Sequence, residues 1–490
     1  MARNRPNILL IVTDQQRGDC LGVDGHPVLQ TPNMDEIACD GVRFRRAYAE
    51  CPSCIPARRT LMSGQAPAAQ GMVGFIGRVP FDPPATLAGE LRNAGYETRM
   101  IGKLHLWPPR QRFGFDCVEW AESTRGPPAN AGNDYLDWLH GEVPEDRWAM
   151  AHGATPNGWI GRPNHLPTAL THSAWCVTRA IEFLRRRDPT APFFLNVSFI
   201  DPHPPFTPPK IFYDQYDRMA LPDPVIGDWV VPFSGPRRGL DPEGSDYGMR
   251  LDLDPIQMHT CRAAYYGLIA HVDAELGRLV QFMRDQDVLD DTFIVFVSDH
   301  GEMLGDHQLF EKTRAFEASA RVPFLCRAPD WMECVPGVIL DHPVGLQDVM
   351  PTLLDVAGTS VPPAVTGRSV LPLWRSSDAP WRDVLHGEHS GFQDYVRDGN
   401  HFLVDGRMKY IWFSQTGSEL LFDLSVDPNE CHDLSGEQDL MSWRSRLADV
   451  LRDRPEGFTD GSRLIAGQPH DHLLPTHVPD GMTMSRRYRP

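Results

Sequence analysis

The sequence predicts an α/β fold in which a large, mostly parallel sheet lies between helices. Four short apolar runs, at 8–12, 193–200, 292–297 and 322–326, have the composition of strands that are buried on both faces. Helical patterns separate these runs, and strands that alternate with helices usually pair in parallel. Glycine and proline, at 41 and 45 of 490 residues, predict long irregular connections around this scaffold.

Helical patterns follow the predicted strands in chain order. Pro56 favours the first turn of a helix that starts just after Cys54, and Gly95 is a stop signal for the next helix. Apolar residues recur every three or four positions in the longer patterns. After the helix at Cys54, helices are predicted at 86–96, 171–187 and 259–286. The proline-rich segment 201–255 has no sustained period, so we expect a long connection there that is functional or mobile.

The pattern changes near residue 380. Segments 401–413 and 419–428 are typical of antiparallel strands, and a helix is predicted at 440–452. We therefore expect a large α/β domain over 1–379, a smaller α+β domain with an antiparallel sheet over 380–455, and an irregular arm over 456–490. The arm is a candidate for wrapping the body or a neighbouring subunit, and we expect a homo-oligomer.

Charge and composition exclude several classes of partner. The formal net charge of −18 repels polyanions, so neither nucleic acid nor an anionic membrane is expected to bind. The first apolar run is shorter than the ~7 to 15 residues of a secretory signal core, and no segment approaches the ~18 apolar residues of a membrane span. The 10 cysteines are sparse and scattered, which suits a reducing compartment. We therefore expect a cytoplasmic protein.

Two predicted strands end in residues that commonly bind metal ions. Asp14 and Gln15 follow the first strand, and Asp299 and His300 follow the strand at 292–297. Either pair alone could cap the next element or form a turn. Together they predict one site at the carboxyl edge of the sheet, where open α/β sheets bind ligands. Two carboxylates, an amide oxygen and an imidazole suit Ca²⁺, Mg²⁺ or Mn²⁺, and the imidazole favours Mn²⁺ over a purely calcium site.

The stretch CPSCIPARRT, residues 51–60, contains two cysteines separated by two residues. A structural zinc site needs four ligands, and no second C-x-x-C or H-x3-H pair accompanies Cys51 and Cys54. A redox pair is a second interpretation. In a third, Cys54 is a nucleophile at the positive end of a helix, where Arg58 and Arg59 add fixed charge and attract an anionic substrate.

The sequence C-I-P-A-R, Cys54 to Arg58, resembles the C-x-P-x-R signature of the type I sulfatases in the alkaline phosphatase superfamily. The resemblance implies an alkaline phosphatase/sulfatase-like fold and an arylsulfatase-like hydrolysis of sulfate monoesters to inorganic sulfate and an alcohol or phenol. It also implies that a formylglycine-generating enzyme converts Cys54 to formylglycine, whose hydrated aldehyde is the nucleophile. Further blocks resemble the family in the same order, from residue 6 to about 434: PNILLIVTDQQRGDCLG, TPNMDEIACDGVRFRRAYAECPSC, GYETRMIGKLHLW, SDHGEMLGDHQLFEKTRAFEASARVPFL and LFDLSVDPNECHDL.

The resemblance also assigns ligands to one divalent metal ion, Ca²⁺ or Mn²⁺, and implies a small anionic ester as substrate. The expected ligands are Asp14, Gln15, Asp299 and His300, with the modified Cys54 also touching the ion. A metal ion there would stabilise the charge that accumulates as the sulfur–oxygen bond breaks.

The remaining catalytic residues that the resemblance implies are all polar. Arg58 is expected to steady the hydrated aldehyde, and Lys103 to stabilise developing charge. His203 or Lys312 is expected to supply a proton or a hydrogen bond to the departing alcohol. His105 is expected to take the proton whose removal allows sulfate to leave. Each also has a structural interpretation, as a strand cap, a solvated lysine or a satisfied buried histidine.

The pairs at the strand ends depart from those of many animal-type sulfatases, which have adjacent aspartates and an Asp-Asn pair. The Asp-Gln and Asp-His pairs here resemble bacterial members, including phosphonate monoester hydrolases, but Lys103 and His105 favour a sulfatase because those hydrolases lack the Lys-x-His pair. Two alternatives stay open: a phosphonate monoester or phosphate diester hydrolase, and a non-catalytic, metal-dependent anion-binding protein if Cys54 is not modified. Surface or packing positions are predicted for His307, His386, His389, His470, His472 and His477.

Overall fold

The computed structural model describes residues 5–122, 132–144, 149–154, 157–230, 253–391 and 399–478. The strands are β1 (Asn7–Asp14), β2 (Val42–Phe44), β3 (Ala47–Tyr48), β4 (Glu97–Gly102), β5 (Cys117–Trp120), β6 (Phe193–Pro202), β7 (Thr292–Ser298), β8 (Phe324–Arg327), β9 (Val338–Leu340), β10 (Val344–Gly345), β11 (Leu385–His389), β12 (Asn400–Val404), β13 (Met408–Phe413) and β14 (Glu419–Asp423). The α-helices are α1 (Pro32–Cys39), α2 (Cys54–Ser63), α3 (Pro67–Gln70), α4 (Leu87–Asn93), α5 (Asp134–Glu142), α6 (His172–Arg186), α7 (Lys210–Asp217), α8 (Pro255–Asp285), α9 (Glu317–Ala320), α10 (Val349–Val356), α11 (Leu371–Arg375) and α12 (Met441–Val450).

The main sheet has eight strands in the order β5-β4-β6-β1-β7-β8-β2-β9. β1 pairs in parallel with β6 and β7, with Leu10 opposite Asn196 and Val295, so the carboxyl ends of these three strands lie at one edge. β8 runs antiparallel to both β7 and β2. The predicted mostly parallel sheet is confirmed, and the run at 322–326 contributes a strand of the opposite direction.

Helices cover both faces of the main sheet, as predicted. In β1, Leu9 and Ile11 belong to a core shared with α6 and α8, whereas Ile8, Leu10 and Val12 belong to a second core that includes α2, α4 and α10. Successive side chains of a strand lie on opposite faces. A strand covered on both faces is therefore apolar at every position, which explains the unbroken apolar run in the sequence.

The predicted helices are present, with shifted ends. α8 starts at Pro255 rather than at 259, because the Asp254 carboxylate accepts the Gln257 N–H at 3.0 Å and caps the first turn. α2 starts at Cys54 itself. α4 ends before Gly95, whose φ of 91° suits a residue without a side chain.

A second, antiparallel sheet with the order β11-β12-β13-β14 forms the C-terminal part. One of its faces, including Phe402 and Ile411, shares a core with Phe316 of the larger part. The opposite face, including Leu403, packs against Trp443 of α12. The antiparallel sheet and the helix predicted after residue 380 are confirmed, and β11 is an additional strand. The domain boundaries at 379 and 455 stay predictions.

The described part of the arm runs back over the larger part of the molecule. Leu473 forms a β-bridge with Met72, and Val73 N donates to His472 O at 2.9 Å. Residues 479–490 of the predicted arm and 231–252 of the predicted connection lie outside the described residues. Within the described chain, no helix combines the length and the apolar composition that crossing a lipid bilayer requires.

Candidate active site

The carboxyl ends of β1 and β7 bring Asp14 and Asp299 side by side. The two strands are parallel neighbours, and Asp299 N donates to Thr13 O at 3.1 Å. Gln15 N donates to Asp299 Oδ1 at 3.0 Å, and the φ of 71° at Gln15 turns the chain out of the strand. Asp14, Gln15, Asp299 and His300 are all fully buried. The structure therefore brings the four predicted strand-end residues together.

Cys54, the first residue of α2, faces these strand ends. Its Sγ lies 3.1 Å from His300 Nε2 and 3.7 Å from Asp14 Oδ1. One ligand atom from each of Asp14, Cys54, Asp299 and His300 lies within 4.8 Å of the others, and we call these four residues the strand-end cluster. His300 Nδ1 is 2.9 Å from Gly301 O, so a donated Nδ1–H leaves the Nε2 lone pair for a cation. These donors fit a divalent metal ion.

Arg58 lies one turn along α2 and joins the two carboxylates of the cluster. Its Nε donates to Asp299 Oδ2 at 2.7 Å, and its Nη2 lies 3.4 Å from Asp14 Oδ2. Its Nη1 donates to Lys103 O at 2.6 Å and to Ser198 Oγ at 2.8 Å. Arg58 therefore fixes the orientation of both carboxylates, and its role toward a hydrated aldehyde stays a prediction.

Arg59 points away from the cluster, so the prediction that it adds charge beside Cys54 is wrong. Its Nε donates to Gln70 Oε1 at 2.7 Å, and its guanidinium lies 5.1 Å from the ring centroid of Phe81. Successive residues of an α-helix point about 100° apart, so two adjacent arginines cannot both face one site. Burial, with a contribution from the Asp14 charge, raises the pKa of the Cys54 thiol to about 11, against the effect expected from the helix dipole.

Lys103 follows the end of β4 and reaches the strand-end cluster. Its Nζ forms a hydrogen-bonded ion pair with the carboxylate of Asp14. Burial alone would raise the pKa of Asp14, but the positive charges of Lys103 and Arg58 outweigh it and hold this pKa well below its usual range. The buried carboxylate is therefore ionised and paired before any metal ion binds.

Lys312 and His203 form another side of the site. Lys312 Nζ donates to Gln15 Oε1 at 2.6 Å and lies 3.0 Å from His203 Nε2. His203 Nδ1 is 2.7 Å from Pro204 O, so with Nδ1–H donated to that carbonyl, Nε2 accepts from the ammonium group. Burial and the charge of Lys312 hold the pKa of His203 well below its ordinary value, which keeps this imidazole neutral.

His105 lies at the end of the loop that carries Lys103. Its backbone adopts a φ of 55°, and its N–H donates to Glu122 Oε1 at 2.8 Å. Its ring packs edge-on against Phe75 with centroids 6.2 Å apart, and its Nδ1 is buried with no hydrogen-bond partner among the described residues. Burial and the charge of Lys103 hold the pKa of His105 well below its ordinary value. The ring is therefore neutral in the site as the structure shows it.

Glu302 is a residue of the site that sequence analysis does not single out. Its carboxylate accepts from Gln15 Nε2, and this contact directs Gln15 Oε1 to Lys312. It lies three residues after Asp299 in the stretch SDHGE, so its position after a buried strand is a weak signal. That spacing does not reveal that Gln15 is the partner of Glu302.

Comparisons with known proteins agree with this geometry. The family model described as Sulfatase matches residues 6–359, and one described as N-sulphoglucosamine sulphohydrolase, C-terminal, matches residues 305–456. A protein named arylsulfatase from Clostridium perfringens (strain 13 / Type A) is 38% identical over 480 residues, which cover 95% of this chain and 98% of the relative. The multifunctional alkaline phosphatase superfamily protein PehA of Trinickia caryophylli is 31% identical, over 93% of this chain and 99% of its own.

A solved structure extends the similarity to the fold. The phosphonate monoester hydrolase of Agrobacterium radiobacter matches with a TM-score of 0.74 and 28% identity, over 91% of this chain and 95% of its own. A family match over residues 6–359 and a relative that is 38% identical over almost its whole length show that the chain belongs to the type I sulfatase family.

Proposed function

We propose that this chain is a sulfuric ester hydrolase that cleaves small anionic sulfate monoesters, arylsulfatase-like, into inorganic sulfate and an alcohol or phenol. The observation that carries the proposal is the position of Cys54 at the start of α2, inside the buried strand-end cluster. Three buried cations, those of Arg58, Lys103 and Lys312, balance the carboxylates of Asp14, Asp299 and Glu302, so a bound divalent ion would leave the site positively charged. The resulting positive charge favours a sulfate ester over a neutral substrate.

One divalent metal ion, Ca²⁺ or Mn²⁺, completes the proposed site. Its ligands would be Asp14, Gln15, Asp299 and His300, together with the side chain at position 54. When bound, the ion would polarise the sulfate oxygens and stabilise the charge of the transition state. Arg58 and Lys103 support this arrangement, because they hold the carboxylates ionised and in place.

The proposed nucleophile is formed from Cys54 by a formylglycine-generating enzyme. Formylglycine supplies a hydrated aldehyde, with one oxygen to attack sulfur and a second through which sulfate can be released. Lys312 contacts His203 Nε2. We assign to Lys312 the donation of a proton or a hydrogen bond to the departing oxygen. His105 is neutral, and its buried Nδ1 has no hydrogen-bond partner among the described residues. We assign to His105 the removal of the proton that allows sulfate to leave.

Mass spectrometry of the peptide that contains residue 54 tests the proposal. Protein made in a host with a formylglycine-generating enzyme is expected to carry the aldehyde and to release sulfate from an aryl sulfate. Cys54→Ala is expected to lose turnover, whereas Cys51→Ala, at a buried cysteine of the same loop, is the matched control and is expected to retain it. An unmodified thiol at position 54 in a fully active preparation would refute the nucleophile.

The second candidate is a phosphonate monoester or phosphate diester hydrolase on the same scaffold. The Asp-Gln and Asp-His pairs and the similarity to the Agrobacterium radiobacter enzyme favour it. The Lys-x-His pair of Lys103 and His105, together with the arylsulfatase relative at 38% identity, favours the sulfatase instead. Side-by-side values of kcat/KM on aryl sulfate and aryl phosphonate esters decide between the two, and turnover that depends on Cys54 excludes a non-catalytic anion-binding protein.

The surroundings proposed for the enzyme rest on sequence alone. We keep the cytoplasmic location, the homo-oligomer and the absence of nucleic-acid and membrane partners as predictions. Light scattering after size-exclusion chromatography measures the subunit count, and fractionation of the source cells measures the location.

A further inference from the structure

A second group of metal-type ligands lies between the small sheet and the C-terminal arm. Glu388 of β11 and His401 of β12 are direct partners across the antiparallel pair, and His470 comes from the arm. One carboxylate oxygen and one nitrogen from each imidazole lie within 4.8 Å of one another. We call Glu388, His401 and His470 the arm cluster, and none of its side chains is more than 2% exposed.

One polar side-chain atom of each residue in the arm cluster lacks a hydrogen-bond partner among the described residues. These atoms are Glu388 Oε2, His401 Nε2 and His470 Nε2. Glu388 Oε2 is 3.7 Å from His470 Nε2, which is longer than an N–H···O hydrogen bond. Buried polar atoms without a partner are rare in folded proteins, so Glu388 Oε2 and His470 Nε2, which face each other, indicate a bound group between them.

The Nδ1 atoms of both histidines have polar neighbours, and Nδ1 of His401 also lies 3.8 Å from Glu388 Oε2. His470 Nδ1 is 3.1 Å from Ser414 Oγ, and His401 Nδ1 is 3.2 Å from His386 Nε2. When each Nδ1 carries the proton and donates it, both Nε2 lone pairs are available to a cation. Partners that fix the far side of an imidazole in this way are typical of metal sites.

The carboxylate of the arm cluster is held in its charged form. Arg454 Nη1 donates to Glu388 Oε1 at 2.7 Å, which leaves Oε2 for a second cation. Burial alone would raise the pKa of Glu388, but the charge of Arg454 outweighs it and holds this pKa well below its usual range. Glu388 and His386 also line a cavity of about 410 Å³.

We propose that the arm cluster binds one Zn²⁺ ion through Glu388 Oε2, His470 Nε2 and one ring nitrogen of His401, and that this ion fastens the C-terminal arm to the small sheet. Zinc favours two imidazoles with one carboxylate, whereas the more oxygen-rich strand-end cluster suits Ca²⁺ or Mn²⁺. The rings of His401 and His470 are parallel, with centroids 5.0 Å apart. Binding one ion through both rings therefore requires them to tilt toward each other.

Metal analysis of the full-length protein tests the proposal. The parent for this experiment is Asp299→Asn, because the change weakens the strand-end cluster as a competing zinc site. After incubation with Zn²⁺ and dialysis, this parent is expected to retain about one zinc per chain. Adding His401→Phe, which keeps a ring, or Glu388→Gln, which keeps the shape, is expected to remove it. His432→Ala is the control, because His432 is an exposed histidine 3.0 Å from Asp228.

Proteolysis of the arm provides a readout that needs no change in the arm cluster. Arg463 is an exposed trypsin site in the arm. In Asp299→Asn, a chelator is expected to speed cleavage after Arg463, and added Zn²⁺ to reverse the effect. A parent that retains no zinc, arm-cluster variants that retain as much as the parent, or cleavage that ignores both reagents would each overturn the proposal in favour of a bridging water or proton. None of these results depends on Cys54, so they leave the proposed function untouched.

Discussion

The strand-end cluster and the arm cluster both combine carboxylates with imidazoles, but the charges around them differ. Arg58 and Lys103 contact the carboxylates of the strand-end cluster directly, so these carboxylates are balanced by cations before any metal ion binds. The cation that contacts the arm cluster is Arg454, which Glu388 shares with Glu456. With neutral histidines, the arm cluster and its partners therefore carry a net negative charge.

This difference separates two uses of similar ligands. A divalent metal ion in the strand-end cluster would add its full positive charge to a site whose cations and carboxylates already balance, so an anionic ester is attracted and its transition state is stabilised. A divalent ion in the arm cluster would first offset the negative charge already there. Such an ion would join chain segments and leave less positive charge to attract an anion.

The largest expected effect is on the carboxylate that faces both cations of the strand-end cluster. Asp14→Asn removes a proposed metal ligand and leaves Arg58 and Lys103 without their shared partner, so kcat/KM on an aryl sulfate is expected to fall on the order of 10³-fold. Asp348→Asn is the control, because Asp348 is equally buried and pairs with Arg382 at 2.5 Å outside both clusters. Equal losses of activity in the two folded variants would contradict a special role for the strand-end charges.

Next in size is the stability of the arm cluster. Arg454→Met leaves the buried carboxylate of Glu388 without its cation, so the free energy of unfolding is expected to fall by about 3 kcal/mol or more. Arg444→Met removes a similar pair with Glu419, but this arginine is half exposed and the expected loss is only ~0 to 1 kcal/mol. Denaturant unfolding measures both. If zinc occupies the arm cluster, added Zn²⁺ is expected to reduce the first loss and not the second.

Two buried lysines allow the catalytic and structural uses of charge to be separated. Lys312→Met removes the ammonium group beside His203, and kcat is expected to fall about 10²-fold. Lys409→Met removes an equally buried ammonium group that pairs with Glu317 at 2.9 Å and Glu430 at 3.0 Å in the small sheet. This control is expected to lower stability while the folded enzyme keeps its kcat. A loss of kcat in Lys409→Met alone would reverse the assignment.

Sequence predicts the strand-end cluster well because each pattern has a physical cause. β1 and β7 are apolar throughout, as strands covered on both faces must be, and the polar residues that follow them meet at one edge. β4 is not predicted by its apolar composition, because it contains Thr98 and Arg99. Their partners, Asp116 and Glu119, become visible only when β4 and β5 are side by side.

The arm cluster could not be predicted from sequence. Glu388 and His401 become neighbours through the register of β11 and β12, and His470 arrives from an arm with no periodic pattern. Nothing in their spacing resembles a metal motif. A prediction of β11 would have placed Glu388 and His386 on one face of the sheet, which is the nearest signal the sequence contains.

A histidine outside both clusters tests whether burial keeps the imidazoles of this protein neutral. His307 packs against Trp229 and Phe316, and burial lowers the pKa of His307 to about 4. Above pH 6.5 it is neutral in both states, whereas between pH 6.5 and 4 the unfolded chain binds a proton that the folded chain refuses. Stability therefore falls with acidification over that window, by about 3 kcal/mol from this residue.

His307→Gln removes the titration and keeps an acceptor for the Gly227 N–H, which lies 3.1 Å from His307 Nδ1. The difference in unfolding free energy between the natural protein and this variant is therefore expected to shrink or change sign as the pH is lowered from 6.5 toward 4. His432→Ala serves as the exposed comparison, because a side-chain hydrogen bond with Asp228 raises the pKa of His432. A difference that stays constant across the window would mean that burial does not keep His307 neutral, and the same inference would then weaken for the buried imidazoles of both clusters.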